Sequence, residues 1–264
     1  VERAVLGGAF PEAARPDRLL TDLQAYLGLT GPAKIVSAAC ASGALAVARA
    51  AAMVVAGQAA AVLVVAADGV SEFVFSGFSA LLGALSPTPA RPFDRDRDGL
   101  TIGEAAAWAI VARAGHALPD GLGEPQAEIL GWGCASDAVH MTAPSPAGDG
   151  LRRAMVQSLA AGNVRPEQVS FICAHGTGTA HNDAMEVVAF RRFFPKPVPF
   201  FSVKGGTGHA MGAAGLVELL VTATALRHGI APPTVGLCHP EPGGEAWLSA
   251  MPVPVPQAEY ALST

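Results

Sequence analysis

Apolar runs of strand length alternate with longer helical stretches along most of this 264-residue chain. AKIVSA (33–38) predicts a strand, 41–57 a helix, AVLVVAA (61–67) a strand, 69–103 a loop-rich passage and AAAWAIVA (105–112) another strand. After a junction at 114–124 come AEILGWG (127–133) as a strand, a helix over 148–162, the strand VSFICA (169–174) and a helix over 181–194. VPFFSVK (198–204) is the last strand predicted, 210–228 the last helix, and the proline-rich 231–256 reads as surface loop. Such alternation gives an α/β class, with continuous apolar strands covered on both faces. Several helices are apolar nearly all round, which suits helices sandwiched between sheets.

KIVSAACASGALAVARAA and FFSVKGGTGHAMGAAGLVELL both run strand, polar or reactive residue, small residues, apolar helix. This echo predicts two related halves. Residues 44–67 approach the length and apolarity of a membrane span, but Arg49 lies inside and Gly57-Gln58 breaks the run. A buried helix followed by a strand is the better division. The opening VERAVLGG lacks the basic flank and apolar run of a signal peptide, and it begins with Val rather than Met.

An apolar content of 51% supports a sizeable core, in one large domain or two closely packed halves. The formal charge of −5 argues against a nucleic-acid binder. Arg152-Arg153 and Arg191-Arg192 with Lys196 form small basic clusters, read as solvated helix faces with local appeal to an acidic partner. Cys40, Cys134, Cys173 and Cys238 are widely spaced, with neither a zinc pair nor a disulfide framework, which predicts a reducing, cytoplasmic setting.

Three reactive side chains follow strand ends: Cys40 after KIVSAA, His175 after VSFICA and His209 after FFSVK. Functional groups of α/β sheets gather at the carboxyl ends of strands, so the three can converge. A lone cysteine in an apolar run is ordinarily a small buried hydrophobe. Here, placed in the first turn of a helix among small residues that admit a substrate, Cys40 reads instead as a thiolate nucleophile. Paired imidazole N–H groups in AHGTGT and GGTGHAMG could stabilise a developing oxyanion. Lys204 and Glu218 would each be costly to bury alone, so mutual pairing is expected. Asp183 and Glu186 open a helix and either complement its dipole or support the site. DRDRDG (94–99) lacks the twelfth-position glutamate of a calcium loop. His116, His140, His181, His228 and His239 show no metal spacing, and His140 is the one expected to border a pocket.

These motifs together resemble the β-ketoacyl-acyl-carrier-protein synthases, the thiolase-fold condensing enzymes of fatty acid and polyketide synthesis. The likeness runs from about Lys34 onward: ACASGA at Cys40, RPFDRDRDG with Gly103-Glu104, SDAVHMTAP, AHGTGT, Lys204 and GHAMGAAG. It implies a thiolase-like layered fold of helices and mixed sheets in two pseudo-repeated halves, 1–115 carrying the cysteine and 116–264 carrying both histidines. It further implies decarboxylative Claisen condensation of a malonyl group with an acyl chain held on Cys40. In that scheme His175 and His209 stabilise the enolate, Lys204 orients the histidine region, and Glu218, Asp183 and Glu186 support it. No metal or organic cofactor is required. The implied partners are acyl- and malonyl-loaded acyl carrier protein and a second ketosynthase subunit, identical or not, in a dimer. A non-catalytic, chain-length-factor-like partner of a complete synthase is the alternative, although it has no need of a nucleophile.

The likeness has departures. GEAAA stands for the usual GEGAG, and AADGVS for a glycine-rich GGTE. Relative to the family the fold is expected to be incomplete at both termini, lacking opening strands and the later strand that supplies a backbone oxyanion donor. A chain of this length would therefore need a partner subunit to cover its sheet edges.

Overall fold

The computed structural model describes residues 16–116, 124–140 and 143–264. The junction at 117–123, the Met141-Thr142 step of SDAVHMTAP and the opening VERAVLGG lie outside the described residues.

Helix α1 (Pro16–Leu27) leads into an extended segment, then α2 (Ser42–Val55), strand β1 (Ala61–Asp68), α3 (Glu72–Ser79) and β2 (Ala105–Ala112). The later part holds α4 (Asp149–Ala161), β3 (Val169–Cys173), α5 (Ala180–Phe193), β4 (Phe200–Phe201), α6 (Lys204–Thr207) and α7 (Ala214–His228). Short strands β5 (Ile230–Ala231), β6 (Val253–Pro254) and β7 (Tyr260–Ser263) follow. β1 and β2 pair antiparallel from Ala61↔Ala112 to Asp68↔Ala105, whereas β3 lies between β4 and β7, parallel to both.

Helix α7 joins the layers. Its Leu216 packs with Val47 and Ala50 of α2 and Val64 and Ala66 of β1. One turn or more further on, Ala225 packs with Phe171 and Cys173 of β3 and with Phe201. A helix with core on two sides has no polar face, which explains its apolarity all round. It ends at Gly229, whose φ of 62° closes the last turn in the left-handed conformation. A third cluster, with Phe93, Phe190, Phe200 and Trp247, fills the space beneath α4 and α5. Each such side chain contributes about 1.5–3 kcal/mol by leaving water. Among the described residues no helix is long and apolar enough to cross a membrane.

Several sequence expectations need correction. AKIVSA forms no strand: 33–37 have no ladder partner among the described residues, with only an Ala38–Cys40 bridge beyond them. AEILGWG is also not a strand. It runs against α4 so closely that a Cβ on Gly131 or Gly133 would lie 2.3 or 1.9 Å from the Ser158 or Ala154 carbonyl oxygen. The passage 69–103 contains α3, started by Ser71, whose hydroxyl accepts the Val74 amide at 3.2 Å. VPFFSVK contributes only two residues of strand. The 231–256 loop is packed rather than superficial, with Thr234, Leu237, Trp247 and Leu248 buried, and β7 is an additional parallel strand. Finally, β1 and β2 are not covered on both faces: the cross-strand pair Val65 and Trp108 is 41% and 60% exposed.

Candidate active site

Cys40 stands before α2 rather than inside its first turn, since Ala41 is the capping residue. The turn holding it is tight. Ala39 has φ 50°, a left-handed conformation that costs energy in a residue with a Cβ. Ser42 clamps that turn by accepting the Ala38 amide at 2.8 Å and donating to the Ala39 carbonyl at 2.6 Å. Behind it, α2 and α7 meet backbone to backbone, for a Cβ on Gly43 would lie 2.6 Å from the Leu216 nitrogen.

His209 is 2% exposed and held by a short bridge to 101–103. Its amide donates to Thr101 at 2.7 Å, and its carbonyl accepts the Gly103 amide at 3.0 Å. Gly103 has to lack a side chain, because a Cβ would sit 2.3 Å from the Thr207 carbonyl oxygen. Beyond His209 the chain turns through Met211 at φ 44°, and Asp68 at the end of β1 accepts the Gly212 amide at 3.0 Å.

His175 follows β3 in a turn pinned from below by two buried carboxylates. Glu186 accepts the His175 amide at 2.8 Å, the Gly176 amide at 2.7 Å, the Asn182 side chain at 2.9 Å and the Thr264 hydroxyl at 3.3 Å. Asp183 accepts the Phe93 amide at 2.7 Å and the Gly178 amide at 3.1 Å. Burial, with the neighbouring Asp183 charge, pushes the Glu186 carboxyl up to about 7 against the pull of those amides, and burial raises Asp183 likewise. Both therefore organise backbone, well beyond any dipole effect.

Lys204 and Glu218 form a buried ion pair, each side chain 2% exposed. The Lys204 ammonium also donates to the His175 carbonyl and to His175 Nδ1, the latter at 3.2 Å. All three of its protons are thereby used. An ammonium can only donate, so Nδ1 is the acceptor and Nε2 carries the proton. Burial pushes the Glu218 carboxyl up, opposed by Lys204.

The three residues converge, although only His175 directly follows a strand, the segment before Cys40 having no ladder partner among the described residues and α6 standing before His209. His209 Nε2 lies 3.0 Å from Cys40 Sγ, and the His175 and His209 rings meet edge to face with centroids 5.2 Å apart. One ligand-type atom from each of Cys40, His175 and His209 lies within 4.8 Å of the other two. Burial, then the Lys204 charge, lowers both imidazoles, His175 well below its ordinary value and His209 to about 3. Both are neutral at physiological pH, fit to donate a hydrogen bond. Cys173 is buried with its thiol held protonated by burial, and Cys134 and Cys238 are exposed. His140, the histidine expected to border a pocket, is exposed and accepts the Ala143 amide at 3.2 Å.

Sequence reading missed Arg97. Its side chain is 5% exposed and donates to the carbonyls of Asp94 at 2.9 Å, Thr179 at 3.1 Å and Ala180 at 2.6 Å, besides pairing with Glu241. It thus ties the DRDRDG loop to the His175 turn. Asp94 of that loop serves as an amide acceptor for Asp96, Cys238 and His239. The signal was an arginine-rich loop beside a glycine, which charge alone made look like surface.

Cys40 and two neutral histidines thus come together on a layered, thiolase-like α/β frame. Residues 21–117 match the beta-ketoacyl synthase N-terminal domain and residues 126–238 the beta-ketoacyl synthase C-terminal domain. The chain belongs to the beta-ketoacyl synthase family. It is 35% identical over 252 residues to 3-oxoacyl-[acyl-carrier-protein] synthase 2 of Vibrio cholerae, covering 91% of this chain and 61% of that protein. Among solved structures, the ishigamide ketosynthase/chain length factor is similar at TM-score 0.83 and 31% identity, covering 91% of this chain and 60% of that one. A beta-ketoacyl synthase from Burkholderia phymatum is similar at TM-score 0.83 and 29% identity, covering 92% and 60%. The chain thus spans about three fifths of the length of these relatives.

Proposed function

We propose that the protein, in its functional assembly, is a β-ketoacyl-acyl-carrier-protein synthase catalysing decarboxylative Claisen condensation. The observation that carries this reading is the meeting of Cys40, His175 and His209 within 4.8 Å. Cys40 Sγ attacks the carbonyl of an acyl thioester, a new carbon–sulfur bond forms, and the carrier thiol leaves with the thiol proton. A malonyl thioester then loses carbon dioxide, and the electron pair of the broken carbon–carbon bond becomes an enolate. Its oxygen accepts hydrogen bonds from His175 and His209 Nε2. Neutral imidazoles suit this step, because they stabilise the oxyanion without protonating it outright. The enolate carbon attacks the Cys40 thioester, and the thiolate departs as the β-keto product forms.

Lys204 fixes the His175 tautomer, Glu218 balances Lys204, and Asp183 and Glu186 hold the turn that presents His175. The chemistry calls on no metal or organic cofactor. The division into 1–115 and 116–264 assigns the nucleophile to one half and both histidines to the other. Acyl- and malonyl-loaded carrier proteins are the substrates, and a second ketosynthase subunit, identical or related, is the partner. Similarity to a ketosynthase/chain length factor structure supports that partnership and also the rival, non-catalytic reading. The assembled Cys-His-His pocket favours the enzyme. Free thiols throughout the chain support a cytoplasmic setting.

The test offers acyl- and malonyl-carrier proteins to the chain with and without a ketosynthase partner, and to Cys40→Ala. Carbon dioxide release with a two-carbon-longer β-keto product, lost in Cys40→Ala, is expected. Product that persists in Cys40→Ala, or none with any partner, refutes the assignment.

A further inference from the structure

The same pocket holds most of a metal centre. One sulfur and two imidazole nitrogens form a donor set that tetrahedral zinc accepts as three of its four ligands, with donors ~3.3–3.6 Å apart. His209 Nε2 and Cys40 Sγ stand 3.0 Å apart, and the atoms of all three side chains lie within 4.8 Å of one another. Small movements would make the triangle fit. Zinc bound there would occupy the sulfur and both nitrogens at once, leaving no nucleophile.

What stands behind the imidazoles opposes such binding. A ligating histidine donates its rear N–H to a carboxylate, carbonyl or water, which orients the ring and raises its basicity. Behind His175 stands the Lys204 ammonium, 3.2 Å from Nδ1, offering a proton where an acceptor is wanted. Nε2 could take a metal only by losing its hydrogen, and the hydrogen then needed on Nδ1 would face that ammonium. His209 gives no compensation, because its Nδ1 is buried without a hydrogen-bond partner among the described residues. The ammonium also places positive charge against an incoming dication. Glu218, paired with Lys204, lies on the far side and is the kind of carboxylate a zinc-bound histidine recruits.

We propose that Lys204 excludes zinc and similar soft divalent ions from the Cys40–His175–His209 pocket. The ammonium turns a ready donor set into a poor ligand and keeps the sulfur available. Removing it takes away both the proton donor facing Nδ1 and the repelling charge, and converts the pocket into a metal site. This role concerns ion binding and stands whether or not the condensation assignment holds.

The test compares the wild-type chain, Lys204→Met, and Lys204→Met/Glu218→Leu in neutral buffer without chelators or thiol reductants. Folding of each is checked by circular dichroism; the double variant serves if the single variant does not fold. Zn2+ is titrated while iodoacetamide labelling of Cys40 is followed by peptide mass spectrometry, with exposed Cys134 and Cys238 as references. Both variants should show protection of Cys40 at zinc concentrations about 10–100-fold below those the wild type needs, the scale of outer-partner effects on metal affinity. Co2+ should give tetrahedral visible bands with the variants, abolished by adding Cys40→Ala. Equal zinc protection of all three proteins, or protection of none, overturns the proposal.

Discussion

Replacing Lys204 with Met removes one member of an ion pair whose two side chains are each 2% exposed. Glu218 is then a buried carboxylate without its cation, a loss of about 3–5 kcal/mol. Against a total stability of about 5–15 kcal/mol, that is a large fraction. Adding Glu218→Leu removes the stranded carboxylate and should recover most of the loss. A deficit of about 1–3 kcal/mol should remain, because the His175 carbonyl no longer has its donor. Urea denaturation followed by far-ultraviolet circular dichroism measures each step. Activity should part company from stability. With its tautomer unfixed, His175 no longer holds Nε2–H towards the enolate, so condensation by the double variant should fall at least about a hundredfold. If Lys204→Met unfolds within 1 kcal/mol of wild type, roughly the value of a surface pair, the reasoning about burial is wrong. A double variant no more stable than the single one would show that Glu218 was not the source of the loss.

Gly43→Ala, which places a Cβ 2.6 Å from the Leu216 nitrogen, should destabilise by about 1–3 kcal/mol and slow Cys40 alkylation, both read on the purified variant. Ser42→Ala removes the clamp on the strained Ala39 turn and should lower stability by about 1–2 kcal/mol in urea titration, with Cys40 labelling less selective over Cys134. His209, lowered from 6.5 to about 3, contributes stability that is present above pH 6.5 and lost as pH falls towards 3. The stability difference between wild type and His209→Asn should therefore shrink by about 2–3 kcal/mol between pH 7 and 4.5, and a constant difference refutes the buried neutral state. Arg97→Gln should release the His175 turn, raising proteolysis near Thr179-Ala180 while leaving the β1–β2 pair protected in hydrogen exchange.

Where hydrophobic pattern decides structure, the sequence was legible. AVLVVAA and AAAWAIVA are runs of small and β-branched residues whose length suits strands, while α2 and α7 follow long apolar stretches and α4 and α5 follow longer mixed ones in which apolar residues recur among charges. AKIVSA failed because a strand is a property of two segments, and no described neighbour completes its ladder. AEILGWG failed for a related reason: its glycines bring backbone against α4, which periodicity does not reveal. In the pocket, the reactive residues were visible as polar outliers among small residues beside apolar runs, although only His175 proved to follow a strand directly. The supports were not: Arg97 and Asp68 act on backbone atoms distant in sequence, Thr264 reaches the Glu186 carboxylate from the far end of the chain, and Ser42 acts through a turn that periodicity does not reveal. Cys40 was displaced by only a few positions from the expected helical turn, yet that shift exchanges a helix-dipole argument for one built on a strained turn and a serine clamp.

At Gly43 and Gly215 the contact between α2 and α7 leaves no compressible layer of side chains between the two backbones. The helix beginning just after Cys40 and the helix carrying Glu218 must consequently shift together, like two planks nailed face to face. Any disturbance of the acid at one end is delivered to the sulfur at the other without being cushioned on the way.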